Sequence, residues 1–337
     1  MDKVRIGVVG GAAGIGLGSH LPAIEALPQA ELVAVCDVNV ERLREVTARY
    51  GAEAYTDLDH LLSRDDIDLV DIASPDHLHA SHAIAAAKSG KHVLCEKPMA
   101  LSLEDARAMK DTVEAAGVKF MLAQSMRWLP ECMGFKQACE RIGAAVFGAY
   151  HVKGRFYSYP PDSPYRKKET LGQFVHNGMH YVDFLSWCMD SLPERVHARS
   201  LSHYPTDDRL ETDNYVLATV TTESGATAVY ELNLLLIDPP GYPGETWWSV
   251  IGTEGTADWG RQGTRNLDMF GRTGVSHPRP GVAGTDRDPF RGEIGHMCDC
   301  IIRDEPPCIP IDWSIRILAT CLGAVESAAT GNVVTLA

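Results

Sequence analysis

The sequence predicts an α/β domain built on a parallel sheet with helices on both faces, followed by an α+β domain. Three observations carry this. Short apolar runs alternate with helical patterns through residues 4–122, a glycine-rich turn joins the first run to a helix, and after about residue 125 the pattern changes to alternating polar and apolar segments.

The apolar runs are Val4 to Val9, Leu32 to Cys36, Leu69 to Ala73, His92 to Cys95 and Lys119 to Leu122. They are short, β-branched or aromatic, and apolar throughout, as strands buried on both faces must be. Helical patterns separate them at Glu41 to Tyr50, His77 to Lys88 and Leu103 to Ala116, the last framed by Ser102 as N-cap and Gly117 as stop. A helical stretch from Pro130 to Arg141 opens the second half. Alternating segments at Tyr150 to Tyr157, Arg195 to Ser202, Asn214 to Thr222, Ala226 to Leu234 and Thr246 to Ile251 then read as antiparallel strands. Gly260 to Asp288, rich in Gly, Arg, Pro and Thr, reads as a surface loop, and amphipathic helices follow at Pro289 to Ile302 and Trp313 to Thr330. Domains of residues 1–124 and 125–337 are expected, with the last helix able to pack back on the first.

The net charge of −14 repels nucleic acid and anionic membrane surfaces, and no Lys/Arg run offsets it, so a small-molecule partner is expected. Residues 1–10 are a charged dipeptide and a short strand rather than a leader, and no apolar stretch is long enough for a membrane helix, which points to the cytoplasm. The nine cysteines lie scattered in apolar patterns without zinc-finger spacing and read as free, mostly buried thiols.

"VRIGVVGGAAGIGLGSHLPAI" runs from strand to helix through glycines 7, 10, 11, 14, 16 and 18. Such a turn lets backbone approach a pyrophosphate at a helix N-terminus. The strict G-x-G-x-x-G is not met: from Gly10 the next motif positions fall on Ala12 and Ile15, and from Gly14 on Gly16 and Ser19. Asp37, ending the second strand, can accept both hydroxyls of an adenosine ribose and repel a 2′-phosphate, so NAD is expected over NADP. The alternative for Asp37 is a cap on the following helix. Lys97 follows an apolar strand and precedes Pro98, which puts its ammonium at the carboxyl end of the parallel strands, where such sheets bind ligands. There it can stabilise a developing alkoxide; the alternative is a surface lysine paired with Glu96.

"DIASPDHLHASHAIAAAKSGKHVLCEKPMAL", residues 71–101, resembles the glucose-fructose oxidoreductase / inositol dehydrogenase (Gfo/Idh/MocA) family. The resemblance rests on Ser74, Pro75, His79, Gly90 to Val93, and Glu96, Lys97 and Pro98. It extends to "SHLPAI", "SMRWLP" at 125–130, "VIGTEGTADW" at 250–259 and "AVESAATGNVV" near the end. It implies an N-terminal Rossmann domain and a C-terminal domain with a large, open, mostly antiparallel sheet, whose free face in many members forms a homodimer or homotetramer. It also implies NAD held by Gly10, Ala12, Gly14, Ile15, Gly16, Asp37, Ser74, Pro75, Glu96 and Lys97, with His79 on the nicotinamide side. His77, His79 and His82 do not all share one helix face, which argues against a metal there.

In the family a helix carries Asp-x-Gly-x-His-x-x-Asp, with the first Asp and the His at the substrate. Here the pattern is His176, Asn177, Gly178, Met179, His180, Tyr181, Val182, Asp183. His180 matches the catalytic histidine and can move the hydroxyl proton. His176 replaces the carboxylate, which implies altered geometry, a shared relay or lost activity. A zinc site is disfavoured because the residue after His176 is Asn177, not the glutamate of H-E-x-x-H. Substrate contacts are expected from Lys97, Arg127, Trp128, Arg155, Tyr157, Tyr165, Asn177 and His180, the aromatic and hydroxyl-binding groups suiting a sugar or cyclitol ring. The expectation is an NAD-dependent dehydrogenase of a secondary hydroxyl. Its rivals are a glycoside-modifying enzyme that uses NAD transiently and a non-catalytic sensor.

Overall fold

The computed structural model describes residues 3–154, 171–202, 211–235, 244–260, 267–271, 274–277 and 288–336. The chain forms two compact units, residues 1–128 with 286–315, and residues 129–285 with 316–337.

The first unit holds six parallel strands, β1 (Val4–Val9), β2 (Ala30–Cys36), β3 (Glu53–Tyr55), β4 (Leu69–Ile72), β5 (His92–Cys95) and β6 (Phe120–Leu122), in the order β3-β2-β1-β4-β5-β6. Strand order reverses between β1 and β4, and open α/β sheets bind ligands at the carboxyl ends beside such a reversal. The helices are α1 (Leu21–Ala26), α2 (Val40–Tyr50), α3 (Leu58–Leu62), α4 (His79–Lys88) and α5 (Leu103–Ala116). Ser102 caps α5 by accepting the Asp105 N–H, and Gly117 ends it at φ +65°. Asn39, not Asp37, caps α2, accepting from Arg42 N.

Part of this unit comes from far along the chain. Helix α9 (Pro289–Arg303) turns Ile294, Met297 and Cys298 into the same core as Val4, Ile6 and Leu94. Their spacing makes one apolar stripe. It is thus the helix before the last one that joins the parallel sheet, where the expected division left only the last helix able to pack back on the first domain.

Among its described residues the second unit has nine strands: β7 (Ala145–Lys153), β8 (Pro193–Leu201), β9 (Tyr215–Thr222), β10 (Thr227–Asn233), β11 (Glu245–Gly252), β12 (Gly255–Trp259), β13 (Leu267–Gly271), β14 (Gly274–Ser276) and β15 (Val334–Thr335). Their order is β14-β13-β12-β11-β7-β10-β9-β8-β15, and every pair is antiparallel except β7 with β10. β13 and β14 fall in the segment expected to be a loop; they are short strands at the end of the sheet, β13 paired to β12 and β14 to β13, and too short to show a periodic apolar pattern. Helices α6 (Pro130–Cys139), α7 (Gly172–His176), α8 (Gly178–Met189) and most of α10 (Ile311–Thr330) complete the unit. Gly148 of β7 lets α8 come close: a Cβ there would sit 2.5 Å from Met189 Sδ. Trp248 stacks on Trp259 at 3.8 Å, with Phe184 and Tyr150 also against Trp248, so an aromatic cluster sits within this core.

All nine cysteines are free, and only Cys308 is exposed. Among the described residues no helix is long and apolar enough to cross a membrane.

Candidate active site

In the first unit the carboxyl ends of β1, β2, β4 and β5 carry the residues singled out in the sequence. The glycine turn is shaped by backbone approach. Gly10 has φ +84° and a Cβ there would lie 2.6 Å from Ala73 O, while a Cβ on Gly16 would lie 2.5 Å from Gly10 O. Gly10 therefore lets the turn close on the end of β4, and Gly16 lets the following helical turn, Gly16–His20, close on Gly10. Gly14 has φ +53° with open space around it, and Gly14 and Ile15 are exposed while Ala12 is buried. Asp37 Oδ2 accepts from Ala12 N at 3.0 Å and Oδ1 from Asn39 N at 2.9 Å. Each oxygen keeps acceptor capacity for a ribose hydroxyl. A bare, glycine-walled backbone with a carboxylate at the end of β2 has the chemistry to hold a dinucleotide, Gly10 to Gly16 being the residues that could meet a pyrophosphate and Asp37 an adenosine ribose.

Across the strand reversal, Ser74 and Pro75 follow β4, and Glu96 and Lys97 follow β5. The Lys97–Pro98 peptide is cis, and Glu96 Oε2 accepts the Lys97 N–H at 3.0 Å. Burial lowers the pKa of the half-buried Lys97 ammonium, and the charges of Glu96 and Asp76 only partly oppose it. His79 departs from the expectation that it faces a cleft. It is 1% exposed, with Nδ1 2.7 Å from Pro98 O and Nε2 2.7 Å from Ser74 O, so its ring ties the turn after β5 to the turn after β4. Ser74 Oγ lies 3.0 Å from His82 Nδ1, whereas His77 is exposed, so the three histidines do not converge.

Arg127 and Trp128 also differ from expectation. Arg127 is buried with its guanidinium 5.1 Å over the Trp313 ring, and Trp128 packs on α9, 5.1 Å from His296 and against Gly292. Trp128 thus fastens the turn after β6 to α9, and Arg127 fastens it to the first turn of α10.

Three buried residues of this unit escaped the sequence reading. His20 and Asp71 are each 0% exposed, with His20 Nδ1 2.8 Å from Asp71 Oδ2 and Nε2 3.2 Å from Glu96 Oε1. Burial opposes charge on His20, but Asp71 and then Glu96 outweigh it and raise its pKa well above the ordinary value. Glu293 of α9 is also 0% exposed, and its carboxyl is pushed well up by burial and by the Glu96 charge. The signals were present: "SHLPAI" carries His20, Asp71 interrupts the apolar run of β4, and Glu293 sits on the apolar stripe of α9. Ligating atoms of His20, Glu96 and Glu293 lie within 4.8 Å of one another. Both ring nitrogens of His20 already face carboxylates, however, and a ring protonated on both offers no lone pair to a cation.

In the second unit the histidine motif is not one continuous helix. α7 ends at His176, Asn177 adopts φ −100°, and α8 starts at Gly178. Asn177 Nδ2 donates to Gln173 Oε1 at 2.8 Å, and its N–H bonds Gln173 O. A Cβ on Gly178 would meet the Phe174 ring at 3.0 Å, so the break is packed tightly. The four-residue spacing of His176 and His180 therefore spans a break, and a shared helix face does not follow from it. His176 is buried, His180 half-buried, and Asp183 buried on α8. A cavity of about 200 Å³ beside α7, lined by Gly172, Phe174, Thr212 and Ala324 among others, includes neither histidine. Arg155, Tyr157 and Tyr165 lie outside the described residues.

The parallel sheet, its glycine turn and the carboxylate ending β2 define a dinucleotide-binding oxidoreductase domain. Residues 4–124 match the model of the oxidoreductase family with the NAD-binding Rossmann fold, and residues 135–258 match the GFO/IDH/MocA C-terminal domain. The protein belongs to the Gfo/Idh/MocA family of NAD-binding oxidoreductases. It is 30% identical to D-apiose dehydrogenase of Paraburkholderia graminis over 269 residues, 78% of this chain and 70% of that protein. It is 26% identical to inositol 2-dehydrogenase of Rubrobacter xylanophilus over 99% of this chain and 94% of that one. A levoglucosan dehydrogenase solved with NADH and L-sorbose has the same fold, with a TM-score of 0.86, 23% identity and 100% of both chains covered.

Proposed function

We propose that the protein is an NAD-dependent dehydrogenase that oxidises a secondary hydroxyl of a sugar, sugar derivative or cyclitol, or reduces the corresponding ketone. The observation that supports this most is Lys97, an ammonium with its proton loosened by burial, at the carboxyl end of β5 beside the strand reversal. Lys97 donates a hydrogen bond to the reacting oxygen and stabilises its developing negative charge. His180 takes the hydroxyl proton in oxidation and returns it in reduction. His176 stands where relatives are expected to carry a carboxylate and modifies that transfer, while Asn177 contributes to substrate binding together with Arg155, Tyr157 and Tyr165. Bound nicotinamide supplies the hydride acceptor. The relatives named for apiose and inositol, and the structural neighbour bound to L-sorbose, accord with a polyhydroxylated substrate.

The outer face of the nine-stranded sheet supports a homo-oligomer. Register puts Phe147, Val229, Trp247 and Ile251 on one side, with Phe270 on the same face through Thr256, and none of them is fully buried. Apolar surface of that kind is commonly covered by a second copy. Nine free thiols accord with a reducing cytoplasm.

The test is a panel of aldoses, ketoses, inositols and glycosides with NAD and NADP, followed by absorbance of the reduced cofactor. Turnover on at least one polyol or sugar with NAD is expected. Glycoside conversion without net NADH release would instead favour the reading in which the cofactor is oxidised and reduced within one turnover.

A further inference from the structure

The Asp71–His20–Glu96 chain is left unused by the proposed chemistry, yet it ends on the backbone of the lysine that carries it. His20 closes the helical turn that follows the glycine loop. Its two ring nitrogens face Asp71 from β4 and Glu96 from the end of β5, and Glu96 accepts the Lys97 N–H with its other oxygen. A neutral imidazole has one N–H and one lone pair, and a lone pair aimed at a carboxylate is repelled; with Asp71 and Glu96 both ionised, only the doubly protonated ring suits both contacts. From α9, Phe290 packs 5.5 Å from the ring and Glu293 adds a buried carboxyl with no hydrogen-bond partner on either oxygen among the described residues. Among the described residues, the charged or titratable groups acting on the cluster include Asp71, Glu96, Glu293 and Asp288, and those acting on Lys97 include Glu96 and Asp76.

We infer that His20, held as an imidazolium between Asp71 and Glu96, is a positioning residue for Lys97. It locks the Glu96 carboxylate that grips the Lys97 backbone, and its charge tempers the negative potential that Glu96 exerts on the lysine ammonium. Glu293 completes the cluster as the neutral carboxyl, since a third ionised carboxylate beside one cation would stand uncompensated in a buried site. This inference rests on the reading of Lys97 as the residue that donates to the reacting oxygen.

Removing the His20 charge leaves Glu96 uncompensated and makes Lys97 hold its proton to higher pH. In His20→Gln, the alkaline limb of kcat/KM is expected to move up by on the order of 1 pH unit, with kcat reduced and NADH affinity largely kept. Asp71→Asn, which keeps the shape of the site and takes away the main support of the His20 proton, serves if His20→Gln fails to fold: with the ring neutral by its nitrogen shifts the limb is expected to move up, and with the ring still charged it is expected to move down. A uniform fall in activity with the limb unmoved in both variants would mean a purely structural role and overturn the inference. Independently, nitrogen shifts of labelled histidine in the NAD-bound protein at pH 7.5 should show His20 protonated on both nitrogens; a neutral ring overturns it. So would a stoichiometric divalent ion that is lost in Glu293→Gln, because a ligated His20 cannot be an imidazolium. Lys97→Met separates the two layers: if turnover and the alkaline limb both survive, the reading of Lys97 falls and the positioning role with it, whereas the histidine shifts still report the charge of His20.

Discussion

At Lys97, desolvation works against charge while Glu96 and Asp76 work for it, and desolvation wins. A lysine poised in this way is expected to contribute through the transition state rather than through binding. Lys97→Met should lower kcat by about 10²–10³-fold with little change in NADH affinity, measured by fluorescence titration. At Asp37 both oxygens are fastened to backbone N–H groups, so the carboxylate is fixed before any ribose arrives. Asp37→Asn keeps an acceptor but removes the charge, and should narrow the preference for NAD over NADP by at least about tenfold, ~1.4 kcal/mol, in parallel assays. His176→Asp restores the carboxylate expected from relatives and should retain turnover; a loss would mean that the imidazole itself serves the reaction. The sequence was most readable where a residue's neighbours in the chain decide its place, as for Asp37 and Lys97 at strand ends. It was least readable for His20 and Glu293, which meet only because α9 packs beside α1, an encounter that no local spacing encodes.

For single elements, legibility followed burial. β1, β4 and β5 are enclosed on both faces and announce themselves as apolar runs, whereas β3 is a three-residue outer strand of exposed and half-buried residues with nothing periodic to read. The one-residue break between α7 and α8 was also invisible, because Asn177 keeps near-helical angles and the apolar pattern continues through it. The glycine turn is the element most exposed to a single methyl group. Gly10→Ala drives a Cβ against the Ala73 carbonyl at a φ that L-residues avoid, and should destabilise the unit by about 1–3 kcal/mol and weaken NADH binding. A milder case is the α5 cap: Ser102→Ala loses the bond to Asp105 N and should cost about 1 kcal/mol, read as a small fall in Tm.

Across the whole molecule, the buried His20 and Glu293 make stability depend on pH in one direction. His20 has its pKa raised above the unfolded value, so its contribution is complete below the ordinary imidazole range and is lost as pH rises through the folded value. Glu293 is raised too, so the folded protein also retains a proton that the unfolded chain releases, and this contribution likewise declines as pH rises above the ordinary carboxyl range. Thermal scans from pH 5 to 9 should therefore show Tm falling toward alkaline pH, and Glu293→Gln, which cannot ionise, should flatten that slope. The same helix that brings Glu293 inward has a consequence for biosynthesis. Since Ile294, Met297 and Cys298 are core residues of a unit whose strands all lie before residue 123, the core of the nucleotide-binding unit stays unfinished until the residues of α9 have been made. Its sheet must therefore wait, with one flank uncovered, for a helix that is made only after β7 to β14 of the second unit.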